Sequence, residues 1–389
     1  MTSADAPQAS LIESDGDAAS GPEVVYDAAV LRRQVQRLRR YLDRAYPDSH
    51  VFYALKACYL APVVRRLVDL GCGLEIMSSG ERAVAAALGV EGERIVWNGP
   101  ALDVTTLERI VDRGEWVNVD SRSVFDRLVH IARARGRTVE AGVRLNLSGE
   151  GKLGVAPDEI GACLDEPSVS IVGVHFHHGA AGHDVDDWVD GRLRMLDVAM
   201  RWEREAGVTL RYVDLGGGLQ ARIELGEQLD PIIERLWDLR SVPRLFVEPG
   251  AFLVGPAATA TTRVVTIKTV GGRRWAITDL GASFLVPLDR ARFEVESARQ
   301  NEPGSVSVAG PFCYEADVIA RDRSLDIQEG DRLTIHDCGA YTASMMSGFG
   351  AVPPRLRWRS VRGVEPIGAA DPARHWMAAQ GYEPDCSGP

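Results

Sequence analysis

No stretch of this 389-residue chain approaches the roughly 20 consecutive apolar residues that a membrane-spanning helix needs. Positive charge is scarce as well. The 44 Lys and Arg stand against 55 Asp and Glu, and the formal charge of -11 excludes a general nucleic-acid binder, because such proteins concentrate cations to release counterions from phosphates. The chain shows no basic start and no apolar segment of signal-peptide length. Residues 1–21, rich in Ala, Ser, Asp and Gly, are expected to be a disordered tail, and the protein to be cytoplasmic. The cysteines (Cys58, Cys72, Cys163, Cys313, Cys338 and Cys386) form no CxxC pair and no disulfide-like rhythm, so reduced thiols are expected. His175, His177, His178 and His183 lie close together, but no second cluster has matching spacing and no metal site is expected.

What is present is a long alternation of apolar strands and amphipathic helices. Val24-Val25-Tyr26 reads as a short strand, and Asp27 as the N-cap of a helix to about Tyr46 whose apolar face is Leu31, Val35, Leu38 and Leu42. Strands follow near 51–55, 73–77, 94–97, 116–119, 140–145, 170–176, 209–214 and 243–248. Helices fall between them near 61–70, 80–88, 104–113, 122–135, 157–165, 186–206 and 226–238. Eight strands with helical crossovers predict a (β/α)8 barrel of the α/β class. Beyond Pro249-Gly250 the helical period fades. Thr259 to Val270, Gly271-Gly272 and Arg273 to Thr278 read as a hairpin, with further β-like runs at Ser305 to Val308, Asp317 to Ala320 and Arg332 to His336. The expected organisation is a tail (1–21), a strand joining the β domain (22–30), a barrel (31–259) and a C-terminal, mostly β domain (260–389).

Barrels of this kind carry their chemistry at the C-terminal ends of the strands. There the first strand delivers Lys56, the second Glu75 and Ser78, the fifth Arg144, the sixth His175-Phe176-His177-His178, the seventh Gly216-Gly217-Gly218 and the eighth Glu248. A lysine after a strand is ordinarily a solvated head on an apolar stem. Desolvated at a barrel mouth, it would favour the neutral amine, which forms Schiff bases with aldehydes. A glycine run after a strand is ordinarily a tight turn, but after the seventh strand it fits a backbone cradle for phosphate. Lysine, cradle and carboxylate together describe pyridoxal 5'-phosphate. Glu248 would face the pyridine nitrogen; a pair at about 4 Å in an effective dielectric of about 20 is worth roughly 4 kcal/mol, about three pKa units. Phe176 alternates with His175 and His177, so those two share a face and one can stack on the ring. Arg144 would meet a carboxylate or the ring hydroxyl, or be structural.

From about Tyr26 to Phe349 the chain resembles the fold-type III pyridoxal-phosphate decarboxylases of diaminopimelate, ornithine and arginine, which are related more distantly to alanine racemase. The resemblance rests on Tyr53-Ala54-Leu55-Lys56-Ala57, Ser78-Ser79-Gly80-Glu81, Gly173-Val174-His175-Phe176-His177, Asp214-Leu215-Gly216-Gly217-Gly218, Glu248-Pro249-Gly250, Gly310-Pro311-Phe312-Cys313 and Gly339-Ala340-Tyr341-Thr342 in that order. It implies that Lys56 holds the cofactor as a Schiff base, His177 stacks on the ring, Glu248 pairs with its nitrogen, and Gly216 to Gly218 with Tyr341 bind phosphate. It further implies that Cys313 reaches into a partner subunit's site to protonate the carbon that has lost CO2, in a homodimer with shared sites.

Departures from the family pattern bear on the substrate. Ala251 follows Glu248-Pro249-Gly250 where Arg is usual, Ala180 stands where Ser is usual, Glu75 replaces Asp, and Gly350 replaces the Asn that commonly follows Phe349. Tyr314 occupies the place after the cysteine where an acid usually meets a distal ammonium, and Glu315, one place later, would lie on the other face of an extended segment. The expectation is therefore a decarboxylase of an atypical or derivatised amino acid, in siderophore, antibiotic or other specialised biosynthesis. The alternatives are a diaminopimelate, lysine or ornithine decarboxylase and, from another class, a catalytically silent regulator. A racemase would use a tyrosine on the opposite face, for which the sequence shows no counterpart.

Overall fold

The alternation of apolar strand and amphipathic helix closes into a barrel in a computed structural model that describes residues 21–177, 184–285, 293–368 and 372–381. His178, Ala180, His183, Cys386 and residues 1–20 lie outside the described residues. A first strand, β1 (Glu23–Asp27), precedes the barrel. The barrel strands are β2 (Ser49–Ala54), β3 (Gly73–Ile76), β4 (Ile95–Trp97), β5 (Trp116–Val119), β6 (Val139–Arg144), β7 (Val169–His175), β8 (Tyr212–Asp214) and β9 (Arg244–Val247). Each pairs in parallel with the next, and β2 closes on β9 through Ser49↔Leu245, His50↔Phe246 and Val51↔Val247. These bounds follow the expected ones closely, although β8 starts at Tyr212 rather than 209.

The helices between the strands pack apolar faces on the barrel wall. Asp27 caps the helix Ala28–Ala45, its Oδ1 accepting the N–H groups of Ala29 (2.7 Å) and Val30 (3.1 Å), and Leu31, Val35, Leu38 and Leu42 are buried as their spacing predicts. Ser78, read from sequence as a strand-end group, is the N-cap of the helix Ser79–Ala87. Its Oγ accepts the Glu81 N–H, while Glu81 turns back to the Met77 N–H at 2.6 Å, so this motif ends the strand and starts the helix.

The C-terminal strands are β10 (Ala258–Val270), β11 (Arg273–Thr278), β12 (Val295–Ser297), β13 (Arg299–Ala309), β14 (Val318–Asp326), β15 (Arg332–Ile335), β16 (Arg355–Ser360) and β17 (Gly363–Ile367). With β1 they form a nine-stranded sheet in which β1 lies between β10, antiparallel, and β16, parallel. The β10–β11 hairpin turns at Gly271-Gly272, both at positive φ, as expected. The β16–β17 hairpin and the helix Pro372–Ala379 have no counterpart in the sequence reading. The sheet reaches the barrel mouth through the loop bearing Tyr341, whose N–H donates to the Ala57 carbonyl at 2.7 Å. Tyr341 is held there at φ 63, a left-handed conformation costly for a bulky side chain.

The lower barrel is filled by Phe52, Val96, Trp116, Val172, Tyr212 and Phe246. Tyr212 stacks on Phe246 with centroids 4.6 Å apart, and Gly142 and Gly173 leave the room its ring occupies. A methyl group on either glycine would overlap that ring, so Gly142→Ala or Gly173→Ala is expected to cost about 1–3 kcal/mol of stability, seen as a lower urea midpoint, while Gly114→Ala, with no atom near its Cβ position, loses only what its positive φ imposes.

Candidate active site

Six of the eight sequence-predicted strand ends meet at one mouth. Lys56 sits in the turn Leu55–Ala57 directly after β2, half-buried, and its Nζ donates to Glu75 Oε2. Glu75 is the charged residue of an otherwise apolar β3 and is fully enclosed. Burial does not leave Lys56 neutral, contrary to expectation. Desolvation pushes its pKa down, but the Glu75 and Glu248 carboxylates override it and hold Lys56 above the usual lysine range.

Glu248 follows β9. Asn98 Nδ2 donates to its Oε1, and His175 Nε2 lies 3.4 Å from its Oε2. Burial alone would raise the Glu248 pKa, but His175, a hydrogen bond from Asp214 and the Lys56 charge hold it well below the usual carboxylate range. Desolvation pushes the His175 pKa down against the pull of Glu248. Desolvation and the Glu248 charge push Asp214 far up; it retains its proton and donates to Glu248, while its Oδ1 accepts the Gly216 N–H at 2.9 Å. Glu75 is raised too, by desolvation first, against the pull of Lys56. Ligand atoms of His175, Asp214 and Glu248 lie within 4.8 Å of one another, and the shared proton of the two acids accounts for their closeness without an ion.

The glycine turn closes the side opposite Lys56. Gly217 N–H donates to His177 Nδ1 at 3.0 Å, which leaves the proton of the neutral ring on Nε2. Burial, reinforced by Lys56, Arg144 and Arg192, holds the His177 pKa well below that of a free imidazole. A Cβ on Gly216 would lie 2.7 Å from the Phe176 carbonyl oxygen and one on Gly217 2.8 Å from the Glu248 carbonyl oxygen, so the turn fits between β7 and β9 only as glycine. Arg144 Nη2 reaches the His177 carbonyl at 3.4 Å and its Nη1 lies 3.8 Å from Asp120 Oδ2, making it a brace for the loop after β7. The Tyr341 phenol is near enough to Lys56 and Glu75 to feel both charges.

Cys313, Tyr314 and Glu315 are not brought to this mouth within the chain. They are exposed and line a groove of about 670 Å³ on the β domain, walled by Lys268, Arg273, Trp275 and Phe312 and by no barrel residue. The expected extended geometry is absent there. Residues 311–316 bend and turn, with Asp317 N–H donating to the Tyr314 carbonyl at 3.1 Å, so Tyr314 and Glu315 share the groove instead of facing apart.

Sequence reasoning missed Asn98, Asn118, Asp120, Asp214 as an acid, and Arg192. Asn98 and Asp120 directly follow β4 and β5, the same signal that singled out Glu75 and Glu248. Because His175 and His177 are held neutral, the unfolded chain takes up protons below about pH 6.5 that the folded site refuses. Stability is therefore expected to fall as the pH drops through that value toward the lower folded pKa values. His177→Gln should flatten this slope in urea unfolding between pH 5 and 8, by about one proton.

Residues 31–255 match the family described as pyridoxal-dependent decarboxylase, pyridoxal binding domain. The chain is 32% identical to the diaminopimelate decarboxylase of Methanothermobacter thermautotrophicus over 85% of both proteins, and 29% identical to that of Methanocaldococcus jannaschii over 85% of this chain and 84% of the other. A crystal structure of diaminopimelate decarboxylase from M. jannaschii in complex with L-lysine superposes with a TM-score of 0.80 at 26% identity, covering 92% of this chain and 91% of that one. The mouth fits the cofactor that the family's name implies: a lysine amine for its aldehyde, a carboxylate kept ionised for its ring nitrogen, and a glycine-only turn that accepts close approach by phosphate. The chain belongs to the pyridoxal-dependent decarboxylases of fold type III, enzymes whose cofactor is pyridoxal 5'-phosphate.

Proposed function

We propose that this enzyme removes one α-carboxylate of meso-diaminopimelate. The observation that carries the reading is the near full-length likeness to enzymes bearing that name. It is supported by the turn at 311–316, which puts the Glu315 carboxylate into the same groove as Tyr314 and so supplies an acid for a distal ammonium. The sequence-based expectation of an atypical substrate rested in part on placing Glu315 on the far face, beside the departures at Tyr314, Glu75, Ala251, Ala180 and Gly350. Tyr314 itself favours that second reading, a derivatised amino acid from a specialised pathway, because its ring narrows the groove where an acid would otherwise stand.

When bound, the cofactor supplies an electron sink for the pair left by departing CO2. Lys56 would hold the cofactor through its aldehyde, and Glu75, raised above the usual carboxylate range and hydrogen-bonded to Nζ, would take the proton that the ammonium must lose to become a nucleophile. Glu248, its orientation fixed by Asn98 and Asp214, would pair with the ring nitrogen. His177, oriented by the Gly217 N–H, would stack on the ring. The Gly216–Gly218 turn and Tyr341 would take the phosphate, with Arg144 bracing the His177 carbonyl beside the turn. Cys313 would supply a proton from Sγ to the α-carbon in the site of a second copy of the chain, a role supported by its exposure in a groove that holds no barrel residue. No helix among the described residues is long and apolar enough to cross a membrane.

CO2 release from meso-diaminopimelate is expected to exceed that from L-lysine and L-ornithine by at least about a hundredfold. Turnover confined to a derivatised amino acid would transfer the assignment to the second reading. Lys56→Ala should abolish the visible absorbance of bound cofactor and lower CO2 release by at least about a thousandfold. If sites are shared, mixing Lys56→Ala and Cys313→Ala chains should restore about a quarter of wild-type activity, since half the dimers then hold one intact site.

A further inference from the structure

Arg192 is almost fully buried on the helix Val185–Glu205, and among the described residues it has no carboxylate partner. All three of its nitrogen groups donate to backbone carbonyls: Nε to Leu215 (3.0 Å), Nη1 to Trp188 (3.0 Å) and Nη2 to Gly217 (2.9 Å). Its guanidinium also lies 3.9 Å from the Trp188 ring centroid, and the Trp188 Nε1–H donates to the same Gly217 oxygen at 3.0 Å. An unpaired buried cation is expensive, and desolvation lowers its pKa to about 9. Such a group needs a reason to be there.

The peptide geometry of the turn supplies one. A trans peptide points its N–H away from its C=O, so the partner of each carbonyl fixes the direction of the next N–H. The Leu215 carbonyl goes to Arg192 and the Gly216 N–H to Asp214; the Gly216 carbonyl accepts from Glu248 N–H (2.9 Å) and the Gly217 N–H goes to His177. The third peptide differs. Its carbonyl, on Gly217, is held by both Arg192 and Trp188, while the Gly218 N–H has no partner among the described residues. That N–H points away from the cation behind it, and charge-assisted bonding to the carbonyl polarises it further toward an anion.

We propose that Arg192, with Trp188, is the positioning group of the phosphate cradle: it aims the Gly218 N–H and places a positive charge behind the turn, selecting the phosphorylated cofactor without touching it. Anion attraction through a low-dielectric wall is strong, and a guanidinium keeps its charge where an amine would lose it. The inference rests on the cofactor and not on the substrate proposed above, so the two fail separately.

The test compares the binding of pyridoxal 5'-phosphate and of unphosphorylated pyridoxal to apoenzyme, by titration of the bound-aldehyde absorbance. Arg192→Met should raise the Kd for pyridoxal 5'-phosphate by at least about tenfold and that for pyridoxal by less than about twofold, and Arg192→Lys, whose amine loses its charge there, should shift the ratio in the same direction. Trp188→Phe, which keeps the ring and removes one donor, should shift the same ratio in the same direction by a smaller factor. Equal weakening of both ligands would mean a structural role alone and overturn the proposal, as would an unchanged ratio. If Arg192→Met does not fold, the ratios of Arg192→Lys and Trp188→Phe decide it, and no change in either overturns it.

Discussion

Glu75, Asp214 and Glu248 share one poorly hydrated barrel mouth, and three carboxylates so close cannot all be ionised. The protein resolves this by keeping a proton on Asp214 and placing Lys56 between the other two. Each acid thereby acquires a separate task. The raised pair member, Glu75, can exchange a proton with Lys56, while Glu248 stays an anion. Burial lowers both histidine pKa values first, and the positive charge of Arg144 and Arg192, joined at His177 by Lys56, lowers them further.

The mouth is tied to the floor of the barrel by a polar ladder. Tyr212 Oη donates to Asn118 Oδ1 at 2.6 Å, Asn118 Nδ2 to Asn98 Oδ1 at 2.8 Å, and Asn98 Nδ2 to Glu248. Every rung is buried, so a shift of the aromatic floor reaches the carboxylate by hydrogen bonds that have no water to substitute for them. The glycines that admit Tyr212 thus belong to the chemistry as much as to the packing.

The barrel was legible because its strands are apolar runs at regular intervals, and Lys56, Glu75, Arg144, His177 and Glu248 because each lies at or near the end of one. Asn118 lies inside β5 and Arg192 on a helix outside the barrel, where an arginine reads as a solvated face. The turn at 311–316 was misread for a tertiary reason: the Asp317 carboxylate accepts N–H groups from Phe312 (2.7 Å) and from the distant Ala282 (2.6 Å), and this folds the segment back. Strand β16, Arg-Leu-Arg-Trp-Arg-Ser, carries three arginines and takes its form from pairing with the apolar β1.

That pairing has a consequence for how the protein is made. β1 leaves the ribosome first, yet one of its two neighbours, β16, comes from residues 355–360, and the loop bearing Tyr341 is nearly as late. At about 5–20 residues per second, one flank of β1 waits roughly 20–60 seconds for its partner. The barrel is therefore an insertion between two pieces of one sheet, and the mouth is completed only once Tyr341 has been made. A nascent chain in which the barrel has formed still lacks the wall contributed by Tyr341.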